Sequence, residues 1–155
     1  MQIRKRISAL ELDQLRQRAK EAYWAQYHRV TPEIVLHSWV NKEYKKAEWL
    51  KAGRQLNQGF RFLCQGNYPH GYLRFSKNAG GISINKIWID EKSRKRKYTL
   101  RLLQTLELAP LSIKIYAGNQ VALRAFRKMG FLRKSACTFT AKGFAQSGKI
   151  LHRDL

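Results

Sequence analysis

The densest run of chemistry-bearing residues lies between Ile87 and Thr99. An apolar strand-like segment, Ile87-Trp88-Ile89, gives way to Asp90-Glu91-Lys92-Ser93 and then to Arg94-Lys95-Arg96-Lys97-Tyr98-Thr99. A strand that ends in a turn and opens a helix aims unpaired backbone N–H groups, and the positive end of the helix dipole, at one spot. That combination is an anion site. Glycines usually line such loops because a phosphate must come close to the backbone, and this stretch has none. Four cations nonetheless crowd the helix start, where exposed positive charge is disfavoured by roughly 0.3–1 kcal/mol each. A polyphosphate held by Arg94, Lys95, Arg96 and Lys97 accounts for them; a solvated basic turn is the alternative. Tyr98 and Tyr116 are candidate hydroxyls for proton transfer and, equally, candidate packed aromatics. No histidine stands at ligand spacing to Cys64 or Cys137, so no metal site is expected, and both thiols read as reduced.

The elements around this stretch follow from periodicity. Ile3 to Ile7 suits a short strand, and Ser8 with Glu11 forms a capping box ahead of a helix carrying Leu12, Leu15, Ala19, Ala22 and Tyr23. Thr31-Pro32-Glu33 opens a second helix, with Thr31 as the capping hydroxyl. That helix carries Ile34, Val35 and Trp39, shows a basic far side through Lys42, Lys45, Lys46 and Lys51, and ends near Gly53. Phe60–Cys64 and Tyr72–Phe75 read as paired strands. In the run from Ile82 to Ile89 the two-residue alternation slips by one between Ile84 and Ile87, which predicts a β-bulge at Asn85-Lys86. Leu100, Leu103 and Leu106 mark a helix, and Leu111, Ile113 and Ile115 a strand. Val121, Ala122, Ala125, Phe126 and Met129 mark a last helix, stopped by Gly130, before two closing strands. The reading is α/β: a mixed central sheet with a bulged fourth strand, about four helices, and the order β-α-α-β-β-β-α-β-α-β-β.

Thirty-one Lys and Arg against ten Asp and Glu give a formal net charge of +21 in 155 residues. A solubilising surface on a small domain calls for a magnitude of about 2–8. The excess points to a polyanion, and nucleic acid or a nucleic-acid-bound acceptor is the expected partner. No window approaches the roughly 18 apolar residues of a membrane span, and no helix pairs a basic face with a large apolar one, so no membrane role is expected. The basic start Met1–Arg6 leads into a polar helix instead of an apolar signal core, and a cytoplasmic location is expected. One domain, 1–155, is expected, with a helical part at 1–58 and a core at 72–139.

This order of elements, with a bulged strand feeding a helix, resembles the GNAT superfamily of N-acetyltransferases. Two stretches carry the resemblance. Ile87 to Leu103 is similar, without a gap, to the family's strand, pyrophosphate loop and leucine-rich helix. Its pattern there is Gln/Arg-x-x-Gly-x-Gly/Ala, and this chain has Arg94 at the first position but Lys97 and Thr99 at the two small ones. Asn119-Gln120-Val121-Ala122 through Phe126 to Gly130-Phe131 follows the pattern Asn-x-x-Ala-x-x-x-Tyr-x-x-x-Gly-Phe, with Phe126 at the tyrosine. The resemblance implies a divergent, highly basic acyl-CoA-dependent N-acetyltransferase using acetyl-CoA or another acyl-CoA. It implies cofactor contacts from Ile87, Trp88, Ile89, Arg94, Lys95, Arg96, Lys97, Tyr98, Thr99, Asn119, Ala122 and Phe126. It implies a catalytic backbone N–H from Trp88 or Ile89, with Tyr116 as a hydroxyl candidate. The usual strand carboxylate is missing, since the bulge offers only Asn85 and Lys86. A dimer is common in the family, but no interface is marked here.

Three functions follow as expectations. The first is acyl transfer to an amine on or near nucleic acid, such as tRNA, a DNA base or a nucleic-acid-binding protein. A variant is a phage-type DNA base modifier, since Lys86–Ile89 and Tyr116-Ala117 faintly resemble strands of the Mom branch. The second is a non-catalytic nucleic-acid-binding module on the same fold, favoured by the altered loop. The third, transfer to a small cationic amine, fits poorly with only ten acids.

Overall fold

Apolar residues of the central strands alternate between two faces, and each face is covered by its own helices. The computed structural model describes residues 1–106, 109–141 and 144–154. Its strands are β1 (Gln2–Arg4), β2 (Gln58–Gln65), β3 (Tyr68–Asn78), β4 (Gly81–Ile89), β5 (Leu111–Tyr116), β6 (Arg133–Ala141) and β7 (Phe144–Arg153). They form one sheet in the order β1-β2-β3-β4-β5-β7-β6. Every pairing is antiparallel except β4 with β5. The helices are α1 (Ala9–Tyr27), α2 (Glu33–Glu43), α3 (Lys46–Ala52), α4 (Arg96–Gln104) and α5 (Gln120–Lys128).

On one face Leu63, Leu73, Phe75, Ile82, Ile84, Ile113 and Leu151 pack against Leu102, Leu103, Phe126, Met129 and Phe131 from α4, α5 and the turn after α5. On the other, Phe60, Phe62, Cys64 and Tyr72 pack against Leu15, Ala19, Leu36, Tyr44 and Trp49 from α1, α2 and α3. The bulge falls where the slipped alternation places it. Arg74 opposes Lys86 and Phe75 opposes Ile84, so Asn85 has no opposite number. The extra residue keeps Ile82, Ile84, Ile87 and Ile89 on one face and turns Trp88 to the other.

Local signals hold at several ends. Ser8 Oγ accepts from the Glu11 N–H and Glu11 reaches back to the Ser8 N–H, a complete capping box. Gly130 (φ +90°) ends α5, with the Phe131 N–H donating to the Phe126 carbonyl across a left-handed turn. Other expectations are corrected. Thr31 does not cap α2: Pro32 is the cap residue, and the Thr31 hydroxyl is buried without a partner. Ile34, Val121 and Ala125 face solvent, because Leu36 and Val40 in α2, and Met129 after α5, take the core-facing positions. The helix read as running to Gly53 is two helices, making five. It breaks at Tyr44-Lys45, where Lys45 is extended, and the carbonyls freed there are met by tertiary partners. The Trp49 indole donates to the Glu43 carbonyl at 2.7 Å, and Arg16 Nη1 donates to the Tyr44 carbonyl at 2.8 Å.

The start of β4 has no room for a side chain. Gly81 has φ +132°, and a Cβ there would lie 2.3 Å from the Pro110 carbonyl oxygen, whose group accepts the Ile82 N–H. Gly81→Ala is therefore expected to destabilise the protein by about 2–4 kcal/mol, read as a lower urea midpoint. An unchanged midpoint would show that β4 and β5 do not need this close entry.

Candidate functional site

Strands β4 and β5 pair only at Ile82↔Leu111, Ser83↔Ser112 and Ile84↔Ile113. Beyond the bulge they part, and β4 stays bonded to β3 alone. The Asp90 N–H donates to the His70 carbonyl at 2.8 Å. Alternation along the antiparallel ladder then directs the Trp88 N–H toward β3 and the N–H groups of Ile87 and Ile89 toward the opening. The Ile89 carbonyl also faces outward, 3.5 Å from Arg94 Nη2. Of the two amides read from the sequence as oxyanion donors, Ile89 is available and Trp88 is not; Ile87 is the second available one.

A cavity of about 480 Å³ occupies this opening. Ile87, Trp88, Tyr116, Asn119, Ala122 and Phe126 line it, so six of the sequence-named residues come together. Ile89 packs in the core beside them. Asn119 caps α5 through Oδ1, accepting from the Ala122 N–H at 3.1 Å, and its Nδ2 donates to the Tyr27 hydroxyl at 2.8 Å. Phe126 is buried edge-on against Phe131. The Tyr116 hydroxyl donates to Gln146 Oε1 at 3.0 Å.

The basic loop follows directly on the parted end of β4. Asp90 caps a 3-10 turn (Glu91–Ser93) by accepting the Ser93 N–H at 2.9 Å. It also holds His70 Nδ1 at 2.8 Å, and Ser93 Oγ lies 2.9 Å from the same nitrogen. Because serine and aspartate meet one ring nitrogen, no proton relay crosses the imidazole, and the three groups act as a knot between β3 and the loop. Burial works against the Asp90 charge, but hydrogen bonds from His70 and Ser93 outweigh it and hold the carboxyl below its usual range. Helix α4 starts with no side-chain cap and no acid in its first turn. Arg94, Lys95, Arg96 and Lys97 are exposed there, and Tyr98 and Thr99 are half-buried. Arg96 Nη2 donates to the Lys128 carbonyl at the end of α5, and Lys97 sets its ammonium over the Tyr98 ring, 5.2 Å from its centre. An uncapped helix N-terminus ringed by cations, in line with free amides of a parted strand, fits a diphosphate followed by an extended amide-bearing chain.

The structure adds a carboxylate that the sequence reading missed. Glu43, the last residue of α2, lines the cavity with Lys86, and its Oε1 is buried without a hydrogen-bond partner, 3.8 Å from Arg74 Nη1. Burial raises its pKa, with Lys86, Arg74 and Lys42 partly offsetting the shift. Lys86 sits with Nζ 3.7 Å from the Tyr23 ring centre; burial pushes its pKa down to about 8, with Glu43 opposing. Trp88, the cross-strand neighbour of Tyr72 on this face, also has its indole nitrogen buried without a hydrogen-bond partner. A sequence signal for Glu43 existed: it is an acid in the last turn of a helix, where the dipole disfavours it.

The fold has counterparts among solved structures. The PaiA N-acetyltransferase from Thermoplasma acidophilum, in complex with coenzyme A, superposes with a TM-score of 0.72 at 16% identity, over 99% of this chain and 98% of that one. A GCN5-related N-acetyltransferase from Rhodopseudomonas palustris gives 0.71 at 16% identity, over 99% and 95%. The ribosomal-protein-alanine N-acetyltransferase from Brucella melitensis gives 0.66 at 15% identity, over 100% of both chains. No protein-family model matches the chain, and no curated protein matches it in sequence. The fold is that of the GNAT N-acetyltransferases. Among the described residues no helix is long and apolar enough to cross a membrane.

The Lys86 shift sets a pH window. Its folded pKa of about 8 lies below the unfolded value, so the unfolded chain holds more protons between the two, and stability rises with pH there. Relative to Lys86→Met, the wild type is expected to gain about 2–3 kcal/mol of unfolding free energy from pH 8 to above pH 10. Denaturant titrations of both proteins across that range check it; parallel curves would place the ammonium in solvent.

Proposed function

We propose that the chain is an acyl-CoA-dependent N-acyltransferase, with acetyl-CoA as the donor and an amine carried on or beside nucleic acid as the acceptor. The observation that carries the first part is the parting of β4 from β5. It leaves the Ile87 and Ile89 amides open in line with the uncapped, cation-ringed start of α4. The fold shared with N-acetyltransferases, one of them holding coenzyme A, supports the same reading. The net charge of +21 supports the second part.

The donor, when bound, supplies an acyl carbon activated as a thioester. The chain's own groups then have three tasks. Amides of Ile87 and Ile89 stand ready to bond the thioester oxygen and the chain leading to it; being fixed in a strand, they need no reorganisation as charge develops. Glu43 takes the proton of the attacking amine, and its raised pKa makes it a stronger base than an ordinary carboxylate. Arg94, Lys95 and Lys97 hold the diphosphate with the first-turn amides of α4, while Arg96 ties α4 to the end of α5. Phe126, at the position of the family's tyrosine, is a wall and not a proton donor. Tyr116 reaches the same wall with its hydroxyl engaged by Gln146.

A ribosomal-protein acceptor, as in the name of the Brucella melitensis neighbour, is a second reading supported by that fold likeness. A free basic protein would be repelled by this surface, so the charge favours an acceptor that brings phosphate with it.

Acetyl-CoA at about 100 times its Kd is expected to stabilise the protein by about 2.7 kcal/mol. That appears as a raised thermal midpoint, and Arg94→Glu with Lys97→Glu is expected to abolish it without unfolding the protein. No ligand-induced shift in the wild type would remove the donor assignment. Glu43→Gln is expected to lower kcat by about 10²–10⁴ while leaving the KM for acetyl-CoA nearly unchanged. The wild-type rate should rise with pH through a value above the ordinary carboxylate range, and the variant should lose that limb. An unaltered kcat and limb would dismiss Glu43 as the base.

A further inference from the structure

A second, larger depression of about 910 Å³ adjoins the cavity between β4 and β5 and shares Lys42, Glu43 and Asn85 with it. It runs between α1 and the break joining α2 to α3, and its walls carry Arg16, Lys20, Lys45, Lys46 and Arg74 against two acids, Glu43 and Glu48. Arg16 is engaged by Asp13 and the Tyr44 carbonyl; Lys45 and Lys46 are exposed at the rim, with Lys46 Nζ 3.9 Å from Asp13 Oδ1. None of these cations belongs to α4 or to the loop before it, where the diphosphate of a coenzyme is placed.

Beyond the shared Lys42, Glu43 and Asn85, the cavity keeps the lysines Lys86 and Lys114 and adds an aromatic lining. Tyr23, Tyr27, Trp39, Tyr116 and Phe139 form the walls. Trp39 packs edge-on against Tyr116 and Phe139, with centroids at 5.9 and 6.1 Å, and Tyr27 against Tyr116 at 6.1 Å. A cationic trough leading into an aromatic chamber is the combination that binds a phosphate chain and stacks the base attached to it.

We infer that the acceptor is a nucleobase, turned out of its strand into this chamber, with the flanking phosphates on Lys20, Lys45 and Lys46. The inference rests on the acyl-transfer reading above and names its acceptor. An alkylammonium acceptor meets Lys42, Lys86 and Arg74 beside a single carboxylate and is repelled. The exocyclic amine of a base is uncharged at neutral pH, flat, and attached to phosphate, so each wall suits it. In the step, the exocyclic nitrogen forms a bond to the acyl carbon and the carbon–sulfur bond breaks. The amine proton passes to Glu43, and the thiolate leaves as the thiol after taking a proton from water. Extruding the base costs least from a single strand.

The test uses a fluorescent single-stranded oligonucleotide, with coenzyme A saturating so that the α4 site is filled. Anisotropy is followed against salt. Lys20→Glu with Lys45→Glu is expected to weaken binding and flatten the log–log salt slope by about 1.4, as for two lost phosphate contacts. Arg101→Glu with Lys134→Glu, the same charge change on exposed sites elsewhere, leaves the slope near wild type. Trp39→Leu weakens binding by about tenfold, and Trp39→Phe restores most of it. With acetyl-CoA, nuclease digestion of the strand yields an acetylated nucleoside. Equal losses in the two charge variants, equal competition by polyglutamate, or acetyl label only on protein or aminoacyl groups would each overturn the inference. A wild type that binds coenzyme A but no oligonucleotide sinks the nucleobase and leaves acyl transfer standing; one that binds no coenzyme A sinks both.

Discussion

Strands β4 and β5 are held together for three residue pairs and then separate, and the rest of the site depends on that separation. Had the two parallel strands stayed paired, the N–H groups of Ile87 and Ile89 would be spent on carbonyls of β5. Two features enforce the split. Gly81 lets the strands start in contact by placing its bare Cα against the Pro110 carbonyl. Asn85 then adds an unopposed residue that bends β4. On its other edge β5 is paired with β7 along its whole length, six positions from Leu111 to Tyr116, and beyond the bend β4 remains with β3. The opening passes through the sheet, with α5 on one side of it and α1 and α2 on the other. A donor and an acceptor therefore have separate approaches to one point.

That division explains why the two hydrophobic clusters differ. The cluster under α4 and α5 is almost wholly aliphatic, apart from Phe75, Phe126 and Phe131. The cluster under α1 to α3 is rich in tyrosine and tryptophan, and among the described residues it has buried polar atoms without a hydrogen-bond partner beside it: Glu43 Oε1, Arg74 Nε and Trp88 Nε1. Unpaired buried polar atoms cost about 1–3 kcal/mol each. Their gathering on this face is consistent with the proposed entry of a polar reactant there. The Glu43–Lys86–Arg74 group belongs to the same face. The cations around Glu43 lower its pKa less than burial raises it, so the carboxyl keeps its affinity for a proton.

Much of the scaffold was legible because it rests on local periodicity. The phase slip between Ile84 and Ile87, the Ser8–Glu11 box and the Gly130 stop each need only neighbours along the chain. The site was legible to the extent that it lies on those same elements: Ile87, Ile89, Asn119, Ala122 and Phe126 converge because a strand and a helix start where their patterns put them. Glu43 was legible only as an acid out of place near a helix end; its position at the cavity is fixed by side-chain contacts that break the helix there. Trp49 holds its carbonyl and Arg16 holds the next one, breaking a helix that propensity alone would continue. Thr31 misled for the related reason that a capping residue type is no guarantee of a cap; proline took the position and the hydroxyl turned inward. The direction of the Trp88 amide also needed the ladder, because one register pair decides which of two adjacent N–H groups is free.

The charge is the property that links these parts. Cations at the start of α4 are unfavourable to the free protein through the helix dipole, and cations around Glu43 are unfavourable to any cationic acceptor. Both costs vanish when the bound partners are anionic: a diphosphate at one mouth of the opening and a phosphate chain at the other. A binder of coenzyme alone would need only the first set. Lys20, Lys42, Lys45 and Lys46 lie on the opposite mouth, beside the one carboxylate placed to receive a proton. A purely solubilising charge would have no reason to concentrate there, where it works against the lysine and N-terminal amines that small basic acceptors present. The same reasoning accounts for the sparing use of acids: each further carboxylate in the trough would pair with a lysine and weaken the attraction that the proposed phosphate-bearing acceptor requires.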